Sequence, residues 1–276
     1  MELYLFTSGK LPPNPSELIG GDGRKSAISV VVYLTIQFLN DRPAYMGVVR
    51  RVKSQLVPSG TKPRRVLTGI YRGLVLDLDL QHDTQVYLGL WERETYRFIE
   101  KAGARCAWAV DVGAGRGELC LYALKRSTAR VVYAFEPEPS ELDRLLKNAK
   151  RNSWANNKTL ITQNRFVGAA DGQECVRLDS LDLPESEPGF IKVDVEGAEL
   201  DVLRGADKLL RRSPLDVLVE THSLDLEHAC ADYLTSRGFR IEIIDKLWWR
   251  AVIPELRPIP HNRWLSASNI SPEGRA

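Results

Sequence analysis

The sequence has few cysteines, no long apolar run and no strong excess of charge of either sign. Its four cysteines include no C-x-x-C pair, which argues against zinc sites and a disulfide scaffold and leads us to expect reduced, mostly buried thiols. The apolar run from Ala27 to Leu39 is shorter than the roughly 20 residues that cross a bilayer, so we predict no transmembrane segment. The formal net charge of +2 provides no basis for predicting a nucleic-acid partner.

The 276 residues are enough for one large α/β domain with an extension. We predict an N-terminal extension over residues 1–65 and a single domain over residues 66–276. Within the extension, Ala27 to Leu39 predicts a helix that packs on the main domain or on another subunit, and docking at a membrane surface is the alternative. Two short β-prone runs between Val66 and Leu80 predict a β-hairpin. We expect a cytoplasmic protein, and the sequence leaves its oligomeric state open.

Downstream of the hairpin, apolar β-prone segments alternate with helical segments. This alternation predicts parallel βαβ units with right-handed crossovers and helices on both faces of the sheet. Ligands bind such sheets beyond the carboxyl ends of the strands. The predicted strands lie near residues 107–112, 131–135, 160–163, 190–195, 217–221, 240–244 and 264–267, and the predicted helices near residues 93–101, 118–126, 139–151, 198–211 and 226–237.

A glycine loop follows the first predicted core strand. Asp111 is followed by Gly113, Gly115 and Gly117, and glycine leaves the backbone bare where a ligand packs against it. The dinucleotide pattern G-x-G-x-x-G requires a third glycine where this chain has Glu118, so the spacing disfavours a nicotinamide cofactor. The pattern D-x-G-x-G-x-G is instead typical of loops that bind S-adenosylmethionine, whose cationic groups suit an acidic neighbour.

The next two strands supply candidates for the nucleoside part of that cofactor. The second core strand ends in Glu136, and a carboxylate can accept two hydrogen bonds from the vicinal hydroxyls of a ribose. We therefore predict that Glu136 binds the ribose. The adenine is expected after the third core strand, near Asn164.

A second group of ionisable residues follows the fourth core strand. The string IKVDVEGAE places Lys192, Asp194 and Glu196 on one face, where burial is costly unless the groups are paired or used. The next strand ends at His222. Acids and a histidine at strand ends can transfer protons, and we predict Asp194, Glu196 and His222 as the candidate catalytic residues. We expect Lys192 to neutralise the acids as an ion-pair partner.

A divalent metal at these strand ends is an open alternative. Asp194, Glu196 and Glu220 offer hard oxygen ligands from neighbouring strand ends, and such ligands suit Mg²⁺ better than zinc. The sequence contains no dense carboxylate cluster, so we do not predict a metal. If one binds, Asp194 and Glu220 are the expected ligands.

Together these motifs resemble the FkbM-type family of S-adenosylmethionine-dependent methyltransferases. The resemblance implies a Rossmann-like class I methyltransferase fold, with a mainly parallel seven-stranded sheet and helices on both faces. It also implies methyl transfer, most often to a hydroxyl oxygen of a sugar, glycolipid or secondary metabolite. One departure is Gly115-Arg116, where the family more often has Asn and an aliphatic residue. The resemblance covers roughly Trp108 to His222 and rests on residues 111–117, 134–137, 178–181, 191–199, 202–203, 205–206 and 220–222.

We therefore predict an S-adenosylmethionine-dependent methyltransferase, with O-methylation of a small-molecule, glycan or lipid head-group acceptor as the expected reaction. Two other classes stay open. A nicotinamide-dependent oxidoreductase is disfavoured by Glu118. A non-catalytic binding protein on a methyltransferase fold would be expected to have damaged cofactor residues, whereas Asp111 and Glu136 are both present.

Overall fold

A computed structural model describes residues 59–251 and 261–271 of the chain. The helix expected over Ala27 to Leu39 lies outside the described residues. The proposed division at residues 65 and 66 stays a prediction. Within the described ranges, no helix is both long enough and apolar enough to span a bilayer.

The predicted β-hairpin is present, and it begins earlier than the sequence suggested. Strands β1 (Lys62–Arg65) and β2 (Val75–Leu78) pair antiparallel. The pairing continues beyond β1, because the Val66 amide donates to the Leu74 carbonyl at 2.9 Å and the Gly73 amide donates to the Val66 carbonyl at 2.8 Å. Helix α1 (Thr84–Leu88), a 3-10 turn (Arg93–Thr95) and helix α2 (Tyr96–Gly103) then lead into the main sheet.

The rest of the described chain alternates strands and helices, as predicted. Most boundaries lie within two residues of the predicted ones. The strands are β3 (Trp108–Val112), β4 (Val131–Phe135), β5 (Thr159–Gln163), β6 (Phe166–Val167), β7 (Cys175–Val176), β8 (Gly189–Val193), β9 (Leu215–Thr221), β10 (Arg240–Ile244) and β11 (Arg263–Ser268). The helices are α3 (Glu118–Arg126), α4 (Pro139–Arg151), α5 (Glu199–Arg204), α6 (Asp207–Arg212) and α7 (Leu224–Thr235), with 3-10 turns at Leu178–Ser180 and Trp248–Ala251.

Among the described residues, the main sheet has seven strands in the order β10-β11-β9-β8-β3-β4-β5. Strands β5, β4, β3, β8 and β9 are mutually parallel, and β11 runs antiparallel to both of its neighbours. The chain leaves β3 toward one side of the sheet and later returns to β8 on the other side. The boundary between β3 and β8 is therefore the topological switch point. The predicted Rossmann-like, mainly parallel seven-stranded fold is confirmed.

Apolar side chains fill both faces of this sheet. One layer contains Leu121 of α3 and Leu145 of α4, and the opposite layer contains Leu203 of α5, Leu210 of α6 and Leu234 of α7. Every residue of β3, β8 and β9 is buried, as expected for central strands covered by helices on both sides. The four cysteines are free; Cys106, Cys120 and Cys230 are buried and Cys175 is half-buried, which agrees with the sequence analysis.

The prediction of one helix over residues 198–211 is wrong, because the chain forms α5 and α6 with a break at Gly205. A Cβ at Gly205 would lie 2.0 Å from the carbonyl oxygen of Gly168, so a neighbouring segment approaches the backbone closely there. The Asp179 carboxylate also accepts hydrogen bonds from the Lys208 and Leu209 amides, both at 3.0 Å, and so caps the start of α6. Tertiary contacts therefore divide residues 198–211 into two helices, although the local sequence pattern predicts one continuous helix.

The packing around Gly189 can be tested by substitution. A Cβ there would lie 2.2 Å from Cζ2 of Trp108, whose side chain is fully buried. We expect Gly189→Ala to lower the free energy of unfolding by about 1 to 3 kcal/mol through overpacking. The exposed Gly172, whose Cβ position has open space, provides the matched control, and Gly172→Ala should stay within about 0.5 kcal/mol of the wild type. Equal denaturation midpoints for both variants would contradict this account.

Candidate functional site

A cavity of about 740 Å³ lies at the carboxyl ends of β3, β4, β8 and β9. Asp111 and the glycine loop line it from β3, Glu136 from β4, Asp194 from β8 and His222 from β9. This is the crevice that a doubly wound sheet opens at its switch point. The strand ends that the sequence analysis expected to converge are adjacent in the sheet.

The glycine loop adopts a backbone that only glycine tolerates readily. Gly113, Gly115 and Gly117 have φ values of +76°, +50° and +90°. A Cβ at Gly113 would lie 1.9 Å from the carbonyl oxygen of Asp194, so the loop and the end of β8 touch through bare backbone. At Gly115, by contrast, a Cβ would meet no atom within 4 Å. A side chain there would project into open space beside the cavity, where a ligand can approach the backbone.

Arg116, the departure from the usual family pattern, anchors this loop. Its Nε lies 2.6 Å from an oxygen of Glu118, and its Nη1 pairs with Asp83 just before α1. Burial opposes the guanidinium charge, but Glu118 and Asp83 raise the pKa of Arg116 further above its ordinary value. The loop is therefore tied to the segment that precedes the main sheet.

Glu136 combines a structural contact with access to the cavity. Its Oε2 accepts a hydrogen bond from the Gly115 amide at 2.7 Å, and its Oε1 accepts one from the Glu138 amide at 2.9 Å. A carboxylate oxygen accepts more than one hydrogen bond, so each can still serve a ligand. Asn164 donates from Nδ2 to the carbonyls of Glu136 and Pro137, both at 2.8 Å. These two hydrogen bonds stabilise the turn after β4.

Phe166, two residues beyond Asn164, is a cavity residue that sequence reasoning missed. Its side chain is 56% exposed although it is a large apolar group, and it lines the cavity. An exposed aromatic ring that lines a cavity is a typical ligand-contacting surface. An aromatic residue shortly after the third core strand was the available signal, but many strand ends carry one.

Asp111 is a buried acid at the base of the cavity. It is 2% exposed, and its Oδ2 accepts a hydrogen bond from the Cys120 thiol at 3.0 Å. Its Oδ1 lies 3.8 Å from Nζ of Lys192 and has no hydrogen-bond partner among the described residues. Burial raises the pKa of Asp111 to about 6, although Lys192 and Cys120 act in the opposite direction. A buried carboxylate oxygen without a hydrogen bond fits a cationic ligand.

Lys192 forms the ion pair that the sequence analysis expected. Its Nζ lies 2.9 Å from Oδ2 of Asp194, and the side chain is 9% exposed. Burial opposes the ammonium charge, but Asp194 and Asp111 hold the pKa of Lys192 well above its ordinary value. Strand β8 ends at Val193, two residues before the predicted end. Glu196 is consequently exposed at the cavity wall, whereas Asp194 is half-buried.

His222 is held from behind by Glu199. Its Nδ1 lies 2.5 Å from Oε1 of Glu199, whose side chain is fully buried. Burial lowers the pKa of His222, but the hydrogen bond and charge of Glu199, with Asp194 and Glu196, outweigh this effect and raise it above 6.5. Sequence reasoning included Glu199 in a motif without assigning it a role. The pairing could not be read from spacing because the two residues lie on different elements.

Glu92 is a further cavity residue without a sequence signal. It has φ +50°, the left-handed region, where it is the sole non-glycine residue in the described ranges. It is 7% exposed and lines the cavity beside Trp91. Strained backbone of this kind costs about 1 to 3 kcal/mol and clusters at functional sites. No periodicity or motif in the sequence indicates a left-handed residue at this position.

Three of these groups are close enough together to hold a cation. One carboxylate oxygen each from Asp194 and Glu220 and one ring nitrogen of His222 lie within 4.8 Å of one another. Oxygen donors of this kind suit a hard divalent ion. Lys192 already supplies one positive charge beside this group, at Asp194.

Comparison with known proteins confirms the resemblance. Residues 162–241 match the Methyltransferase FkbM domain, a segment that includes Asp194, Glu199 and His222. Hexuronic acid methyltransferase AglP of Haloferax volcanii is 30% identical over a match that covers 41% of this chain and 55% of that protein. The chain therefore spans just over half the length of this curated relative.

Two solved structures also match the chain at low sequence identity. Methyltransferase FkbM from Methylobacillus flagellatus KT matches with a TM-score of 0.48 at 16% identity, covering 85% of this chain and 60% of that chain. TYW2 of M. jannaschii, solved in complex with AdoMet, matches with a TM-score of 0.45 at 16% identity, covering 76% of this chain and 85% of that chain.

The charge balance at Lys192 provides a test of the site. Removing the ammonium in Lys192→Met would leave two neighbouring acids without their cation, at a cost of about 3 to 5 kcal/mol for a broken buried pair. The loss of unfolding free energy should be larger at pH 8 than at pH 5, because protonated acids are neutral and tolerate burial. Denaturant unfolding at both pH values measures this, with the exposed Lys125→Met as control. An equal loss at the two pH values would indicate lost packing instead of lost charge.

Proposed function

We propose, from the premise that this chain carries a Methyltransferase FkbM domain match, that it is an S-adenosylmethionine-dependent methyltransferase acting on a hydroxyl oxygen. The observation that carries this proposal is the cavity at the switch point. It brings a bare glycine loop, the ribose candidate Glu136 and the Glu199-backed His222 to the same crevice. A candidate cofactor loop and a candidate base thus line the same cavity, where methyl transfer to a hydroxyl would use both.

The cofactor residues proposed from the sequence fit S-adenosylmethionine. Glu136 would bind the ribose hydroxyls, and Gly115 would allow the nucleoside to approach the loop. Oδ1 of Asp111, which has no hydrogen-bond partner among the described residues, would face the cationic part of the cofactor. Asn164 would act indirectly, by holding Glu136 in place. The exposed ring of Phe166 offers the adenine a flat apolar surface.

His222 is our candidate for the general base. When bound, S-adenosylmethionine supplies a sulfonium methyl group that is transferred while the S–C bonding pair stays on sulfur. His222 would take the acceptor's hydroxyl proton as the new O–C bond forms. Asp194 is held by Lys192 at 2.9 Å, so it is the weaker base candidate of the two. Asp194 and Glu196 would instead stabilise the imidazolium through their charge.

A sugar hydroxyl is the acceptor that we favour. The curated relative is described as a hexuronic acid methyltransferase, and this supports a glycan-type acceptor for the present chain. The cavity walls carry Trp91 and Tyr71 beside several hydrogen-bonding groups, a combination that suits a sugar ring. Glycolipid head groups and hydroxylated secondary metabolites present the same chemistry and belong to the same proposal. That the chain binds no nucleic acid stays a prediction.

Calorimetric titration tests the cofactor first. We expect the purified protein to bind S-adenosylmethionine and S-adenosylhomocysteine and to show no heat with NAD⁺. Ligand at a hundred times its dissociation constant should add about 2.7 kcal/mol of stability, visible as a thermal shift. Binding of NAD⁺ alone would favour the oxidoreductase, and binding of none of the three would favour a non-catalytic protein. Transfer of labelled methyl to a panel of sugars and glycolipids then identifies the acceptor.

The same titration tests Glu136. In Glu136→Ala we expect weaker S-adenosylmethionine binding with the fold retained. The variant lacks the two carboxylate oxygens that would accept hydrogen bonds from the ribose hydroxyls. The exposed Glu174, outside the cavity lining, provides the control variant Glu174→Ala, which should bind as the wild type does. Unchanged affinity in Glu136→Ala would remove Glu136 from the ribose role.

Metal dependence has its own test. We expect turnover to survive dialysis against a chelator, because Lys192 already balances the charge at Asp194. Turnover is measured before dialysis, after dialysis and after addition of Mg²⁺. Loss of turnover that Mg²⁺ restores would overturn the metal-free proposal and would make Asp194, Glu220 and His222 the candidate ligands.

A further inference from the structure

We infer that Glu199 is the positioning residue for the reaction: it fixes the ring orientation and tautomer of His222 and stabilises the charge that His222 gains. This inference rests on the proposed function, since it concerns how the base of that same site works. The sequence motifs contain Glu199 but assign it no role.

The local backbone explains how Glu199 reaches this position. It is the first residue of α5, which begins directly after the turn at Gly197, where φ is +92°. Its Oε1 accepts a hydrogen bond from the Gly197 amide at 3.2 Å and lies 2.5 Å from Nδ1 of His222. Two contacts therefore hold the carboxylate behind the ring, while His222 itself lines the cavity.

Burying the Glu199 carboxylate lowers the stability of the fold, which argues that the carboxylate has a functional role. Glu199 is 0% exposed, and its Oε2 has no hydrogen-bond partner among the described residues. A buried carboxylate with an unsatisfied oxygen is costly, and an apolar side chain of similar size at the start of α5 would avoid that cost. The carboxylate is best explained by what it does to the one ring that it contacts.

The contact determines which nitrogen of His222 can accept a proton. Neutral His222 donates its Nδ1–H to Glu199, which leaves the lone pair on Nε2. As the acceptor oxygen bonds to the methyl carbon, its proton passes to Nε2 and the S–C pair remains on the departing sulfur. The resulting imidazolium then faces the Glu199 carboxylate. The opposite tautomer would carry its proton on Nε2, so Nε2 could not accept the proton of the acceptor hydroxyl.

Other charged groups face His222 but cannot replace Glu199. Asp194, Glu196 and Glu220 lie on the cavity side, and Asp194 is engaged by Lys192. Oε1 of Glu199 lies 2.5 Å from Nδ1 of His222. Glu199 therefore acts on the ring through Nδ1 and leaves Nε2 for the acceptor.

A double-mutant cycle in the full chain tests the inference. Glu199→Gln preserves size and removes the charge, and we expect kcat to fall about 10²-fold while the dissociation constant of S-adenosylmethionine stays unchanged. His222→Ala should lower kcat at least as much. If Glu199 acts through His222, the double variant should be no slower than His222→Ala alone. A loss of similar factor in both backgrounds would overturn the inference.

A matched control separates positioning from burial. Glu227 is also a buried acid, 5% exposed, with the ring of His261 at 3.6 Å and Arg263 at 3.2 Å, but it does not line the cavity. Glu227→Gln should leave kcat unchanged. Glu199→Gln with normal kcat, whatever its thermal stability, would also overturn the inference.

Two further measurements keep the test decisive. If Glu199→Gln does not fold, Glu199→Asp is the second variant, because its shorter side chain keeps the charge but moves it away from Nδ1 of His222. We expect Glu199→Asp to have a reduced kcat and normal cofactor affinity. A normal kcat would contradict the inference. Failure of the wild type to bind S-adenosylmethionine would refute the proposed function itself. That result would reject the proposed methyltransferase function, and it is distinguishable from a failure of the Glu199–His222 inference, in which the wild type binds the cofactor.

Discussion

The ammonium group of Lys192 is the interaction on which the rest of the site depends. Lys192 of β8 is the direct register partner of Asp111 of β3, and its Nζ lies between Asp111 and Asp194. Burial raises the pKa of Asp111 to about 6 even with this cation present. One buried cation therefore lies between two of the acids at the switch point and lowers the cost of burying both.

Backbone contact joins the two halves of the cavity around that cation. Gly113 has no side chain, and its backbone packs closely against the carbonyl of Asp194. The loop proposed for the cofactor and the strand end proposed for the acceptor are therefore in direct contact. Glu136 holds the loop from the other side through the Gly115 amide. The distance between a methyl donor and its acceptor would thus be set by rigid backbone, which is how orientation contributes to catalysis.

Local patterns predicted most of the architecture and failed where distant segments meet. The alternation of strands and helices gave the correct sheet, since each element is determined by its own periodicity. The helix over residues 198–211 was wrong because Gly205 packs on Gly168. The hydrogen bonds from Nδ2 of Asn164 to the carbonyls of Glu136 and Pro137 likewise had no local signal, and the placement of the adenine near Asn164 stays a prediction.

The sequence by itself determined the order of the elements and the candidate cofactor residues, because both depend on spacing within short segments, as in Asp111 with its glycine loop. Only the tertiary structure decided which groups act together. The contact between Glu199 and His222 joins residues 23 positions apart, and the strained backbone of Glu92 has no local signature. Such pairings arise from sheet register and helix placement, which no motif encodes.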